Sequence, residues 1–297
     1  AVESRLLPEL APSLPLAVPR FEYLPRDDTT GLPIFAGYRA IPGEPLTPAL
    51  LAQVGNGPSS CGRGSLSPHA VVSPPAVHRT RRAPASPSPH SVGAFGERPE
   101  RPGRENPSEP GGEDLPAALG AFLAALHAFP VNRARELGAE EAREPDHTRT
   151  LFESVREFVY PRLAPAVRRW TDHLFGDYLA NPRLWEFALA LVHGDLSSDH
   201  ILYDRAASRL GGIIDFGDAG IYDPISDFVG LIDYGDAFLQ AALAALAPSL
   251  DPLAGERLAF YRRRVPFIAL AWGAARDDAH ALAEGMAALR AEMASGS

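Results

Sequence analysis

The sequence contains no lysine: all 28 of its basic residues are arginine. A compact ammonium group is therefore missing from the whole chain, and the larger, differently hydrated guanidinium is a poor stand-in for one. Cysteine is almost absent too. Cys61 stands alone in a Gly/Ser-rich stretch, which excludes a disulfide framework and a cysteine-based metal site and suits a reducing cytoplasm. No apolar run approaches the roughly 20 residues that span a bilayer. The first residues, Ala1-Val2-Glu3-Ser4-Arg5, lack the basic start and apolar centre of a signal peptide. They also lack an initiator Met, so the expectation is a chain that begins inside a longer reading frame. A net charge of −9 argues against nucleic acid or an anionic membrane as the main partner and favours a cationic ligand.

What is present falls into three zones. In residues 1 to about 52, Glu3 to Leu10 reads as the end of an amphipathic helix, with Leu6, Leu7 and Leu10 on one side and Pro12 as its stop. Phe21 to Leu24 and Ile34 to Ile41 read as strands, joined through Asp27, Asp28 and Gly31. Residues 53–112 hold eleven of the thirty prolines and almost no periodic apolar pattern. Such a segment buries too little surface to offset the entropy of ordering it, so a disordered Pro/Ser/Gly/Arg-rich insertion is expected. Its seven arginines against four glutamates read as a solvated linker rather than a nucleic-acid patch.

The third zone, 113–297, is helix-rich. Leu115, Leu119, Phe122, Leu123 and Leu126 share one helical face, and Pro130 is expected to close that helix. A long helical pattern from Thr148 to Leu179 should bend at Pro161 and Pro165. Ala188–Val192, Ile201–Tyr203 and Gly212–Ile214 suit short strands, and the Ala/Leu-rich tail from about Leu239 to Met293 suits helices.

Chemistry concentrates in two strand ends. Leu191-Val192 runs into His193-Gly194-Asp195, and about 20 residues later Ile213-Ile214 runs into Asp215-Phe216-Gly217. Transfer of a γ-phosphoryl group needs a carboxylate that orients the attacking hydroxyl and accepts its proton, and oxygen or nitrogen ligands that hold Mg²⁺ on the phosphates. Asp195 suits the first role, and Asp215 the second. Either tripeptide alone is an ordinary turn; the pair, in this order and at this spacing, points to kinase-type chemistry.

His193-Gly194-Asp195 with Asp215-Phe216-Gly217 resembles the catalytic and metal-binding loops of the aminoglycoside phosphotransferases, relatives of the protein kinases. The resemblance implies an α+β, protein-kinase-like two-lobe fold with a truncated N-lobe and a mainly helical C-lobe. It implies an ATP- or GTP-dependent, Mg²⁺-requiring transfer to a hydroxyl of a cationic, aminoglycoside-like molecule. Where most of that family has asparagine five residues after the catalytic aspartate, this chain has His200, as in the 2″-phosphotransferase branch. For His200 a metal-ligand role and a structural hydrogen-bonding role both stand open. His193 reads as a brace for the catalytic turn, and Asp227 as an anchor for backbone donors near it. Residues 35–48 look like the inter-lobe hinge, with the backbone near Arg39 and Ile41 meeting the purine; the alternative is an ordinary strand entering a Pro-rich turn. Asp233 and Asp236, three apart on an expected helix, match positions that face substrate ammonium groups, or else form a solvated helix face. Trp272 does not register with the aromatic residue expected beyond them.

One part of the pattern is missing. A kinase of this type pairs a strand lysine with a helix glutamate beneath a phosphate-covering loop. Glu3 resembles that glutamate, or is a solvated residue at a frayed terminus, but no lysine exists to meet it. Weak nucleotide binding and poor turnover are therefore expected. The full expectation is a cytoplasmic monomer without nucleic-acid or membrane partners. Its rivals are a kinase of another small molecule, such as choline, a sugar or a macrolide, and a non-catalytic degenerate kinase module.

Overall fold

In the computed structural model, which describes residues 2–23, 25, 37–55 and 113–295, the first apolar stripe forms helix α1 (Glu3–Leu10) and buries Leu6, Leu7 and Leu10. Strand β1 (Phe21–Tyr23) pairs antiparallel with β2 (Gly37–Tyr38). The expected second strand is shorter than predicted: pairing ends at Tyr38, and Arg39, Ala40 and Ile41 run on outside the ladder. Ile34–Ala36, the link residues Asp27, Asp28 and Gly31, and the Pro-rich stretch from 56 to 112 lie outside the described residues. After β3 (Glu44–Pro45) comes helix α2 (Pro48–Gln53), which claims the first position assigned to the insertion. Thr47 caps it by accepting a hydrogen bond from the Leu50 amide at 3.1 Å, and Pro48 presets its first turn.

Helix α3 (Leu115–His127) buries all five residues of the expected face; its N-cap, Asp114, accepts from the Ala117 amide. It ends three residues before Pro130, which instead precedes the short helix α4 (Val131–Glu136). The Thr148–Leu179 pattern begins slightly earlier than expected. It becomes helix α5 (Asp146–Ser154), one π-helical turn over Val155–Val159, a 3-10 turn over Tyr160–Arg162, and helix α6 (Pro165–Leu179). The bend lies where the two prolines interrupt the i to i−4 ladder.

Strand β4 (Ala190–Val192) is followed by β5 (Ile201–Asp204), β6 (Arg209–Ile213) and β7 (Gly220–Tyr222). β5 lies between β3 and β6 in one antiparallel sheet, and β4 pairs antiparallel with β7 in another. A 3-10 helix over Pro224–Tyr234 leads to α7 (Asp236–Leu243), α8 (Ala254–Arg276) and α9 (Ala279–Ser295). Asp277, in the left-handed region at φ 52°, stops α8, and Asp278 caps α9 by accepting from the His280 and Ala281 amides. One apolar core joins α1, α2, α3, the β5–β6 and β4–β7 strand pairs and α8, so both strand ends that bear chemistry rest on packed elements. Among the described residues no helix is long and apolar enough to cross a membrane.

Candidate active site

β4 is buried along its length and delivers the chain into the turn His193-Gly194-Asp195. That turn is held from beneath by one carboxylate. Asp227, on the 3-10 helix, accepts from the His193 amide and the Gly194 amide, each at 3.0 Å, and lies 2.9 Å from His127 Nε2. Burial alone pushes the Asp227 carboxyl up. The hydrogen bond and charge of His127, with the neighbouring His193, outweigh it and hold the group below the usual carboxylate range. Asp227 is thus the backbone anchor that its sequence position indicated. Its partner His127, a hundred residues earlier, was not foreseen in that role.

His193 is fully buried, and burial pushes its imidazole below the ordinary value, which favours the neutral ring. Its Nε2 donates to the Ile214 carbonyl at 3.0 Å, and its Nδ1 faces the Asp195 amide at 3.4 Å. The ring also packs on Phe216, centroid to centroid 4.6 Å. His193 therefore ties the His193-Gly194-Asp195 turn to the second strand end while fully buried, the geometry of a brace.

The second strand end continues from β6. Asp215 takes a positive φ of 64°, a conformation that aspartate tolerates better than most residues, and its side chain remains more than half exposed. Phe216 is buried, so the two residues leave the strand end on opposite sides, one in the core and one towards solvent. The two loops touch at Gly194, whose φ is 85°. A Cβ there would lie 2.2 Å from the Asp218 carbonyl oxygen. Only glycine lets the turn and the Asp215 loop approach this closely.

His200 stands between the two aspartates. Its Nδ1 is 2.6 Å from the Asp195 carbonyl oxygen and 3.7 Å from Asp195 Oδ2, and its Nε2 is 3.6 Å from Asp215 Oδ2. Its own carbonyl accepts from the Ile214 amide at 3.0 Å. The structure thus gathers Asp195, His200, Asp215 and His193 into one small region. Among the described residues no three or more His, Cys, Asp or Glu side chains converge as a ready-made metal cage. The donor set fits Mg²⁺ nonetheless, since that ion takes one or two protein carboxylates and fills its other positions with phosphate oxygens and water.

The remaining expected residues sit around this centre. Burial, then the charges of Glu3 and Asp215, push the Tyr38 phenol up. Tyr38 belongs to the stretch read as the hinge but was not singled out there as a site residue. Arg39 is exposed and hydrogen-bonds Glu22 at 2.7 Å, while the Ile41 side chain packs beside Gly212 on β6. One premise is overturned. Asp233 and Asp236 do not share a helix: Asp233 lies in the last turn of the 3-10 helix, Asp236 opens α7, and Gly235 at φ 93° turns the chain between them. Glycine in that conformation terminates one helix and resets the direction of the next. Both aspartates are exposed. Neighbouring bulk pushes the Asp233 carboxyl up, opposed by Arg262, and the charges of Asp233 and Asp199 in turn reinforce the effect of burial on the Tyr234 phenol. A cavity of about 1210 Å³ lies to one side of this centre, lined by Gly194, Gly217 and Asp218 and by Arg5, His147 and Arg264. Neither Asp195, His200 nor Asp215 lines it.

Comparison with known proteins fits this geometry. The chain is 29% identical to the uncharacterized protein YcbJ of Bacillus subtilis (strain 168), over 41% of this chain and 38% of that protein. It is 27% identical to the viomycin phosphotransferase of Streptomyces vinaceus, over 46% and 47%. The chain thus spans less than half the length of these curated relatives. The solved GDP and kanamycin complex of the aminoglycoside phosphotransferase APH(2″)-IIIa superposes with a TM-score of 0.72 at 24% identity, covering 99% of this chain and 82% of that one. That likeness establishes the kinase-like α+β fold. With residues 63–261 matching its model, the chain belongs to the phosphotransferase enzyme family.

Proposed function

We propose that the protein transfers the γ-phosphate of ATP or GTP to a hydroxyl of an aminoglycoside-like antibiotic. The observation that carries this reading is the placement of Asp195 and Asp215 on either side of one imidazole, at 3.7 and 3.6 Å, on loops locked by Asp227 and by His193. In this reading the substrate oxygen attacks the γ-phosphorus, the bond to the bridging oxygen breaks, and the hydroxyl proton passes to the Asp195 carboxylate. Asp215 and His200 would hold Mg²⁺, which when bound neutralises charge on the phosphates. Backbone groups near Arg39 and Ile41 would meet the purine, and Glu3 would take the helix-glutamate position. Residues 1–52 would form a partial nucleotide lobe and hinge, 53–112 an insertion, and 113–297 the helical lobe. Asp233 and Asp236 would face the substrate's ammonium groups, now as two separate contacts flanking Gly235 rather than one helix face. The net charge of −9 supports a cationic substrate and weighs against nucleic-acid or anionic-membrane partners. In the same reading the enzyme is monomeric and works in a cytoplasmic setting, which the single cysteine suits.

The kanamycin complex of the structural relative and the viomycin phosphotransferase both support an antibiotic as acceptor. One observation favours a second reading, a non-catalytic module: the absence of lysine. Mass spectrometry of kanamycin, viomycin and a macrolide, each incubated with the protein and Mg-ATP or Mg-GTP, separates the two. The expected outcome is slow addition of one phosphate to an aminoglycoside, abolished by Asp195→Asn. No phosphorylated product from any acceptor, or equal product from Asp195→Asn, would sink the enzymatic reading.

A further inference from the structure

His200 is the least ordinary member of the site, and its hydrogen bonding decides what it offers. A carbonyl oxygen only accepts, so the 2.6 Å contact with the Asp195 carbonyl requires the proton to be on Nδ1. In the neutral ring the lone pair is then on Nε2, the nitrogen that faces Asp215 Oδ2 at 3.6 Å. The residue's position is fixed further by its backbone, which accepts from Ile214 on one side and donates to the Ser197 carbonyl on the other. Its ring lies 6.0 Å from the His193 ring and is largely buried. An Nδ1–H donated to a backbone carbonyl, with Nε2 left as a lone pair, is the arrangement that orients a metal-ligating histidine. The 3.6 Å between Nε2 and Oδ2 is also less than about 4.2 Å, twice a typical metal–ligand distance of about 2.1 Å, so one ion can be held by both atoms.

We propose that His200 and Asp215 form a mixed nitrogen–oxygen cation site that selects first-row transition ions, Mn²⁺ among them, over Mg²⁺. The inference rests on the metal role given to these two residues above and adds the ion's identity. Mg²⁺ prefers oxygen ligands and gives up water reluctantly, whereas imidazole nitrogen adds affinity for transition ions. With two protein ligands, the rest of the coordination sphere is left to water or phosphate, so binding is weak and should be read by spectroscopy rather than by turnover.

The test uses the full chain without nucleotide. Mn²⁺ is titrated by the loss of its free-ion EPR signal, then displaced with Mg²⁺, and pulsed EPR looks for ¹⁴N coupling from a bound imidazole. The expected results are ¹⁴N coupling in the unaltered protein and a Mn²⁺ preference of roughly tenfold or more over Mg²⁺. In His200→Asn the coupling should vanish and the preference should fall several-fold; Asp215→Asn should lose most binding of either ion. Mn²⁺ binding that depends on Asp215 but shows no ¹⁴N coupling overturns the selectivity and leaves the Asp215 metal role standing. No binding of either ion overturns both. The coupling is measured on the unaltered protein, so a poorly folded variant does not blunt the test.

Discussion

Gly194 is where two loops meet, and it shows how one missing methyl group sets a site. Its φ of 85° and the 2.2 Å between a would-be Cβ and the Asp218 carbonyl leave no relaxed position for a side chain. Gly194→Ala should therefore lose about 2 kcal/mol or more in urea unfolding and should push the Asp195 turn away from the Asp215 loop. Gly176 is the matching control. It lies in α6 with nothing within 4 Å of its would-be Cβ, so Gly176→Ala should be neutral or stabilise by up to about 1 kcal/mol. Equal stability changes at the two positions would refute the argument. The residue scale also holds what the sequence could not display. Asp227 reads as buried from its apolar neighbours, but its pairing with His127 links positions a hundred residues apart, and no local pattern encodes that.

At the scale of elements, the turn between β4 and β5 stays in place because a neutral ring and an ionised carboxylate sit beneath it. Burial sets His193 below its ordinary value of 6.5, so the folded state binds this proton less readily than the unfolded chain does. The stability it contributes is fully present above about pH 6.5 and is lost as pH falls from there towards the folded value. His147, also lowered chiefly by burial, adds to the same slope, whereas Asp227 acts only at lower pH, below the ordinary carboxylate value of 3.8. Urea midpoints between pH 7 and 5 should decline for the unaltered protein and flatten clearly in His193→Asn. An unchanged slope in that variant would show that the buried ring is not the titrating group. These elements were largely legible, since the apolar stripe of α3, the proline bend before α6 and the strands before His193 and Asp215 all follow from periodicity and turn chemistry. The short strand β7 and helices α2 and α4 were not, because segments of three to six residues carry too little periodicity and take their form from partners. The helix assumed for Asp233 and Asp236 failed for a local reason: Gly235 adopts a positive φ that its sequence neighbours do not require.

Over the whole molecule, the distribution of charge decides how the two proposed ligands should respond to salt. Asp195 and Asp215 flank His200, and the charges of Glu3 and Asp215 both push the Tyr38 phenol up, so the surroundings proposed for the nucleotide phosphates are rich in carboxylates. The chain holds no lysine. Arg5, the arginine on the same helix as Glu3, packs its guanidinium against Gly138 instead, with Nη2 2.3 Å from where that glycine's Cβ would be. Isothermal titration should therefore find Mg-ATP and Mg-GTP binding near the millimolar range, roughly −4 kcal/mol. Because ligand and site carry the same sign, added KCl should leave that binding unchanged or strengthen it slightly by screening the repulsion. A cationic acceptor such as kanamycin should behave in the opposite way. In the proposed reading it approaches the exposed carboxylates Asp233 and Asp236, so its affinity should fall steadily as ionic strength rises. Micromolar nucleotide binding that weakens with salt would mean that arginine does supply the phosphate contact. Kanamycin binding indifferent to salt would remove the acidic surface from substrate recognition.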